Sequence, residues 1–169
     1  MKLYLAGPDV FRPDAEAWAD EARRLCAAVG HTALVPLDNL ETTAPGIYDA
    51  NIALIRLADA VIANLNPFRG CEPDSGTCVE VGFALALGKP VIGYLASHET
   101  TTSRIARISG GPLEIRDGRP VDRDGLYVED FGLPLNLMLA VPVRVVFGTL
   151  REALQQLDSA GMAPRPAQA

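Results

Sequence analysis

Cysteine, histidine and tryptophan are scarce in this chain, and each scarcity removes a class of protein. Three cysteines, Cys26, Cys71 and Cys78, are an odd number with no C-x-x-C pair, and the histidines are only His31 and His98. Neither a disulfide framework nor a zinc site is expected from such a set, and the thiols read as reduced. No uninterrupted apolar run reaches the ~20 residues that a membrane helix needs. The start, MKLYLAGPDV, has no basic stretch ahead of an apolar one, so no secretory leader is expected. A basic excess is also missing. The net charge is -6 and the pI about 4.9, which disfavours the cationic face that non-specific nucleic-acid binding needs. The expectation is a cytoplasmic protein with no membrane and no nucleic-acid partner, working on small molecules.

What the chain has is alternation. Its 169 residues, 49% of them hydrophobic, suffice for one domain that buries roughly two thirds of its unfolded surface. Residues 3–6 read as a buried strand that turns sharply at Gly7-Pro8-Asp9. Asp14 is placed to cap a helix whose apolar residues, Ala15, Trp18, Ala19, Ala22, Leu25, Cys26 and Val29, fall at helical spacing before Gly30. A second strand covers 32–35, and the stretch LDNLETTAPGIYD reads as loop. A helix over roughly 48–57, a third strand over 60–65, a helix closed by Gly88 and a fourth strand over 89–95 follow. Between 96 and 133 no helical period is sustained, and LEIRDGRPV reads as an edge hairpin turning at Asp117-Gly118. LNLMLA suits a short buried helix, 143–147 a fifth strand and 149–157 a last helix. The domain is expected over 1–157, with 158–169 a disordered tail.

Strands alternating with helices predict a parallel sheet covered on both faces, a flavodoxin-like three-layer α/β sandwich with strand order 2-1-3-4-5. In such sheets ligands bind where the strand order reverses, outside the ends of strands one and three. Those ends carry Gly7 to Phe11 and Asn66 to Thr77. The polar loop there leads into an apolar helix with Glu80 near its start. Two readings of Glu80 stand on the residues alone. Thr77-Cys78-Val79-Glu80 fits a T-x-x-E capping box, which would make Glu80 a helix cap. The switch-point position favours the other reading, a carboxylate held near a helix N-terminus to act on a ligand.

LYLAGPDVF, ADAVIANLNPF, DSGTCVEVGFALALGKPV and GLPLNLML, taken together, resemble the nucleoside 2-deoxyribosyltransferase family over most of residues 1–140. The resemblance implies exchange of the base on a 2′-deoxyribonucleoside through a covalent deoxyribosyl-glutamate ester, with no metal and no organic cofactor. It implies Glu80 as nucleophile, Tyr4 as its hydrogen-bonding partner and Asp74 as a residue of the sugar and base pocket. Gly7, Phe11, Ser75 and Gly76 belong to the same expected site. Asn136 and Met138 match residues that a neighbouring subunit contributes, which implies a homo-oligomer. Where family members carry an aspartate that contacts the base, this chain has Asn51. An amide donates and accepts but transfers no proton, and Asp49, one register away, is a candidate substitute.

The chemistry suits these residue types. Breaking an N-glycosidic bond builds oxocarbenium character at C1′, which a carboxylate stabilises and then captures as an ester. The leaving base needs a proton, which Asp74, or a water held by Asn51 and Asp49, would supply. Two alternatives remain: a hydrolase acting on 2′-deoxynucleoside 5′-monophosphates, with Ser75, Gly76, Thr77 and Arg69 near the phosphate, and a non-catalytic nucleotide sensor. Each residue also has a plainer reading. Asp74 can cap a turn, Tyr4 can be a core aromatic, and Cys78 a small packed thiol. Asn136 in an apolar segment is harder to set aside, because a buried amide requires a partner.

Overall fold

The computed structural model describes residues 1–159. Its centre is a five-stranded sheet of β1 (Lys2–Ala6), β2 (Thr32–Leu34), β3 (Ala60–Asn64), β4 (Val91–Leu95) and, last in the chain, β7 (Arg144–Phe147), in the order β2-β1-β3-β4-β7. Every pairing is parallel. This is the expected order, with β7 in the place of the fifth strand.

The period-two alternation of side chains across a strand divides the core into two layers. Leu3, Leu5, Ile62, Ile92 and Tyr94 point to one face and pack on α1 (Ala15–Ala28) and α6 (Leu150–Ser159) through Ala19, Ala22, Cys26 and Leu154. Tyr4, Ala6, Val61, Ala63 and Leu95 point to the other, against Ile55 of α2 (Ala44–Leu57), Val81 and Ala84 of α3 (Ser75–Ala86) and Leu139 of α5 (Leu137–Ala140). Both faces are dry, which is why these strands read as continuous apolar runs. Each fully buried Leu or Ile contributes ~1.5–3 kcal/mol.

Several local expectations need correction. Helix α2 starts at Ala44, four residues before the expected Tyr48, because the Thr43 side chain caps it by accepting from the Gly46 N–H at 3.2 Å. Pro45 is no obstacle in a first turn, where its missing N–H would be unbonded anyway. Helix α3 starts at Ser75 with Asp74 as its N-cap, so Thr77 is not the cap and Glu80 lies in the second turn. A two-turn helix, α4 (Thr101–Ile108), occupies the stretch where none was expected. Its buried residues are Thr101 and Arg104, so no apolar period marks it. The LNLMLA helix is only half buried: Leu139 is inside, while Met138 and, at the C-cap, Val141 are 73% and 58% exposed.

The hairpin forms as read, β5 (Glu114–Arg116) against β6 (Arg119–Val121). Asp117 and Gly118 between them both have left-handed φ, of 52° and 75°, as a two-residue turn with inverted twist requires. Helix α6 continues to Ser159, two residues into the stretch assigned to the tail. The rest of that expected tail, 160–169, lies outside the described residues.

Candidate active site

A cavity of about 480 Å³ opens at the ends of β1 and β2 and the start of α3, with Gly7, Phe11, Asn51, Asp74, Gly76 and Glu80 in its wall. This is the switch-point position, because β1 is flanked by β2 on one side and β3 on the other.

Glu80 lines this cavity, and Tyr4 holds Glu80 from within the core behind the wall. Tyr4 sits mid-strand in β1 with no exposed surface, and its hydroxyl donates to Glu80 Oε1 at 2.6 Å. The capping-box reading of Glu80 is thereby excluded: its carboxylate faces the sheet, while the α3 N-terminus is served by Asp74. Asp74 Oδ2 accepts from both the Thr77 N–H and the Thr77 hydroxyl, each at 2.9 Å. Both bonds fall on one oxygen, so the turn-capping role and a place in the cavity wall coexist in one side chain.

Burial pushes the Glu80 carboxyl up to about 7, opposed by the Tyr4 hydrogen bond and reinforced by the nearby negative charge of Asp74. The Tyr4 phenol is pushed well above its ordinary range, chiefly by burial and then by the Glu80 charge. Tyr4 therefore remains the donor of the pair at any working pH. Cys78 is half-buried and its thiol is raised, first by burial and then by Asp74, which disfavours the nucleophilic thiolate.

The turn after β1 shapes the upper wall. A Cβ on Gly7 would lie 2.8 Å from Asn64 Cβ and 2.9 Å from Asp9 Oδ2, so no side chain fits there. Asp9 is buried and accepts from Asn64 Nδ2 at 2.8 Å, which fixes the turn to the end of β3. Phe11 stands at the rim, 58% exposed, with its ring stacked on Phe68 at 5.5 Å. The Arg69 guanidinium lies over both rings, 5.3 and 4.6 Å from their centroids.

Not every expected residue converges here. Asn51 lines the cavity, and its buried Oδ1 has no hydrogen-bond partner among the described residues. Asp49 is exposed on α2 and Ser75 is exposed at the start of α3; neither lines the cavity. Asn136 is the N-cap of α5 and exposed, not a buried amide in search of a partner. Its Nδ2 donates to Glu129 Oε2 at 2.9 Å and its Oδ1 accepts from the Met138 N–H at 3.0 Å. Neither Asn136 nor Met138 lines this chain's own cavity.

Glu16, Asn39 and Glu41 do line it, unanticipated. They lie at a helix start and in a connection after β2, positions whose proximity only the folded chain creates. With Asp74 and Glu80 they bring four carboxylates to one cavity, and no Lys, Arg or His lines it among the described residues. Among those residues no group of three or more His, Cys, Asp or Glu is placed to hold a metal ion, and no helix is long and apolar enough to cross a membrane.

Fold and cavity together define a flavodoxin-like α/β protein with an acidic cavity at its switch point. The chain belongs to the nucleoside 2-deoxyribosyltransferase family, whose model matches residues 3–138. Among solved structures it is similar to a 2-desoxiribosyltransferase from Leishmania mexicana, 38% identical, with 95% of this chain and 99% of that one covered and a TM-score of 0.77. A 2-deoxyribosyltransferase from Bacillus psychrosaccharolyticus is 23% identical over 67% of this chain and 83% of its own, with a TM-score of 0.50. The CMP N-glycosidase BcmB of Clostridium botulinum is 17% identical, with 95% and 100% covered and a TM-score of 0.51. These last two likenesses carry the fold alone. A curated relative, an uncharacterized protein of Schizosaccharomyces pombe, is 33% identical over 165 residues, 86% of this chain and 78% of its own length.

Proposed function

We propose that this protein exchanges the base of 2′-deoxyribonucleosides, with Glu80 as the nucleophile. The observation that carries the reading is the Tyr4–Glu80 pair, in which a buried tyrosine orients a carboxylate that lines the switch-point cavity. Tyr4 holds Glu80 Oε1 and so leaves Oε2 for attack on C1′. As the C1′–N bond breaks, its electron pair leaves with the base, and the forming oxocarbenium carbon is captured as a deoxyribosyl-Glu80 ester. Partial desolvation leaves the carboxylate less hydrated and more reactive than one in water. Asp74, with one oxygen committed to its cap, has the other for the sugar or for the proton that the departing base takes up. Asn51 offers its unpartnered Oδ1 to an N–H of the base. A second base then attacks the ester at C1′: its ring nitrogen forms the new glycosidic bond and yields its proton to Asp74, and the C1′–O bond breaks to release Glu80 as a carboxylate.

A free nucleoside suits the cavity better than a nucleotide. Four carboxylates in the wall repel a 5′-phosphate dianion, and no cation among the described lining residues offsets them. The test is product analysis with 2′-deoxyinosine, alone and with adenine. Deoxyadenosine formed only when adenine is present is the expected result. Free hypoxanthine released at one rate in both tubes means hydrolysis, and no turnover of either 2′-deoxyinosine or its 5′-monophosphate means a binding protein.

A further inference from the structure

Arg104 is a charged side chain almost wholly inside the protein, 2% exposed, on a helix that contributes nothing to the cavity wall. Among the described residues no carboxylate makes a close pair with it: the nearest contact, Nε to Glu99 Oε2, is 3.7 Å. Glu99 is instead taken up by Arg107, whose Nε and Nη2 donate to its two oxygens at 2.8 and 2.9 Å. Backbone carbonyls from three segments satisfy Arg104. Its Nη1 donates to Cys71 O at 3.0 Å, and its Nη2 donates to Glu99 O at 3.0 Å and Pro134 O at 2.8 Å.

Two of those segments bear on the site. Cys71 lies in the loop that carries Phe68, the stacking partner of Phe11, and ends at Asp74, the cap of α3. Pro134 precedes Leu135, which packs in the same core layer as Tyr4 and Val81. A second bond, Thr101 N–H to Leu133 O at 2.9 Å, ties α4 to that segment. A planar guanidinium with five fixed donors can bridge carbonyls arriving from separate directions, which a lysine ammonium on a flexible stem cannot. Such an arrangement is costly to bury.

We infer that Arg104 is a positioning residue: through the Cys71 carbonyl it holds the loop that places Asp74, and with it α3 and Glu80, against β1. The inference rests on the transferase reading for its kinetic consequence, but the tether itself is testable without turnover. Two variants serve. Arg104→Lys keeps the charge and loses the fork; Arg104→Gln strands no buried charge and is the safer folder.

Amide hydrogen exchange is read first, comparing 66–77 with α2 as an internal reference. Faster exchange confined to 66–77 and the 133–136 segment is expected. Then kcat and KM for transfer from 2′-deoxyinosine to adenine are measured well below each variant's melting temperature. A kcat loss on the order of tenfold to a hundredfold, with KM within about twofold, is expected, because a misplaced nucleophile affects the chemical step more than ground-state binding. Partial restoration of Arg104→Gln by added guanidinium, and not by methylammonium, is expected from the shape of the vacated site. Unchanged exchange at 66–77, or wild-type kcat in either folded variant, overturns the inference. Local loosening in the variants, with no transfer by the wild type, upholds the tether and overturns the transferase reading together with the kinetic consequence drawn from it.

Discussion

The Tyr4 hydroxyl and Glu80 Oε1 meet at 2.6 Å across 76 positions of sequence, joining the inner strand β1 to the second turn of α3. This bond orients the carboxylate proposed as the nucleophile and opposes part of the upward push that burial gives it. Glu80 must be ionised to attack, and burial holds it up to about 7, so kcat/KM for transfer is expected to rise with pH through about 7 and level off above it. The Tyr4 bond favours the ionised form. Tyr4→Phe therefore moves the rising limb to higher pH and, with the carboxylate no longer oriented, lowers kcat at neutral pH on the order of tenfold. A pH–rate profile of the two proteins decides it; an unmoved limb in Tyr4→Phe counts against Glu80 as the titrating group.

The same burial predicts a stability cost. A carboxyl raised from 4.5 in the unfolded chain to about 7 in the folded one binds its proton more tightly when folded. Stability from this group is complete below about 4.5 and is lost as pH rises through about 7. Glu80→Gln keeps the shape and the acceptor for Tyr4 but never ionises. It should match the wild type in acid and exceed it at pH 8 by on the order of 3 kcal/mol, while losing transfer. Denaturant titrations at acidic and alkaline pH measure the difference, and equal stabilities at both would mean that Glu80 is not desolvated.

How far the sequence reveals this site depends on how its residues are encoded. The sheet is legible because buried parallel strands are continuous apolar runs, and Glu80 because a polar loop meets an apolar helix at the switch point. Its partner Tyr4 is visible only through family resemblance, since a tyrosine within an apolar strand looks like any core aromatic. Helix α4 is hidden because Thr101 and Arg104, not aliphatic residues, form its buried side. Glu16 and Glu41 are hidden for a different reason: they are ordinary surface glutamates until β1, β2 and α2 bring them to one cavity. Asp49 shows the limit at close range, one helical register from Asn51 yet turned to solvent.

Asp74 combines a cap and a charge, and two substitutions separate them. Asp74→Asn keeps an oxygen for the Thr77 N–H and hydroxyl, so stability should change little. Removing the negative charge that helps hold Glu80 up moves the kcat/KM limb to lower pH, while the maximal rate falls through loss of the carboxylate. Asp74→Ala loses the cap as well and should cost a further ~1 kcal/mol. Melting curves and pH profiles on both variants test this; equal stability of the two would show that the cap contributes nothing.

Met138 of the four-residue helix α5 and Val141 at its C-cap are 73% and 58% exposed, while Leu139 between them is buried. If this surface completes the cavity of a second copy, as the family resemblance implies, the protein sediments as an oligomer and Met138→Glu both dissociates it and lowers transfer. Analytical ultracentrifugation with an activity assay across the same concentrations checks it. A fully active monomer would remove the subunit-sharing idea while leaving Glu80 untouched.

Four carboxylates line the cavity, those of Glu16, Glu41, Asp74 and Glu80, with no cationic side chain beside them among the described residues. A nucleoside 5′-monophosphate brings a dianion into that field, whereas the parent nucleoside brings a neutral hydroxyl. Repulsion across a few ångströms in a partly desolvated site costs on the order of 1–4 kcal/mol, so kcat/KM for 2′-deoxyinosine 5′-monophosphate should lie at least tenfold below that for 2′-deoxyinosine. Because screening acts on the charged substrate alone, the gap should narrow as salt is raised. Glu41→Gln, which removes one charge from the rim, should narrow it further without improving the neutral substrate. A monophosphate used as well as the nucleoside at low salt would mean that a cation reaches the 5′ position after all, and Arg69, already poised over Phe11 and Phe68, would be the residue to substitute next.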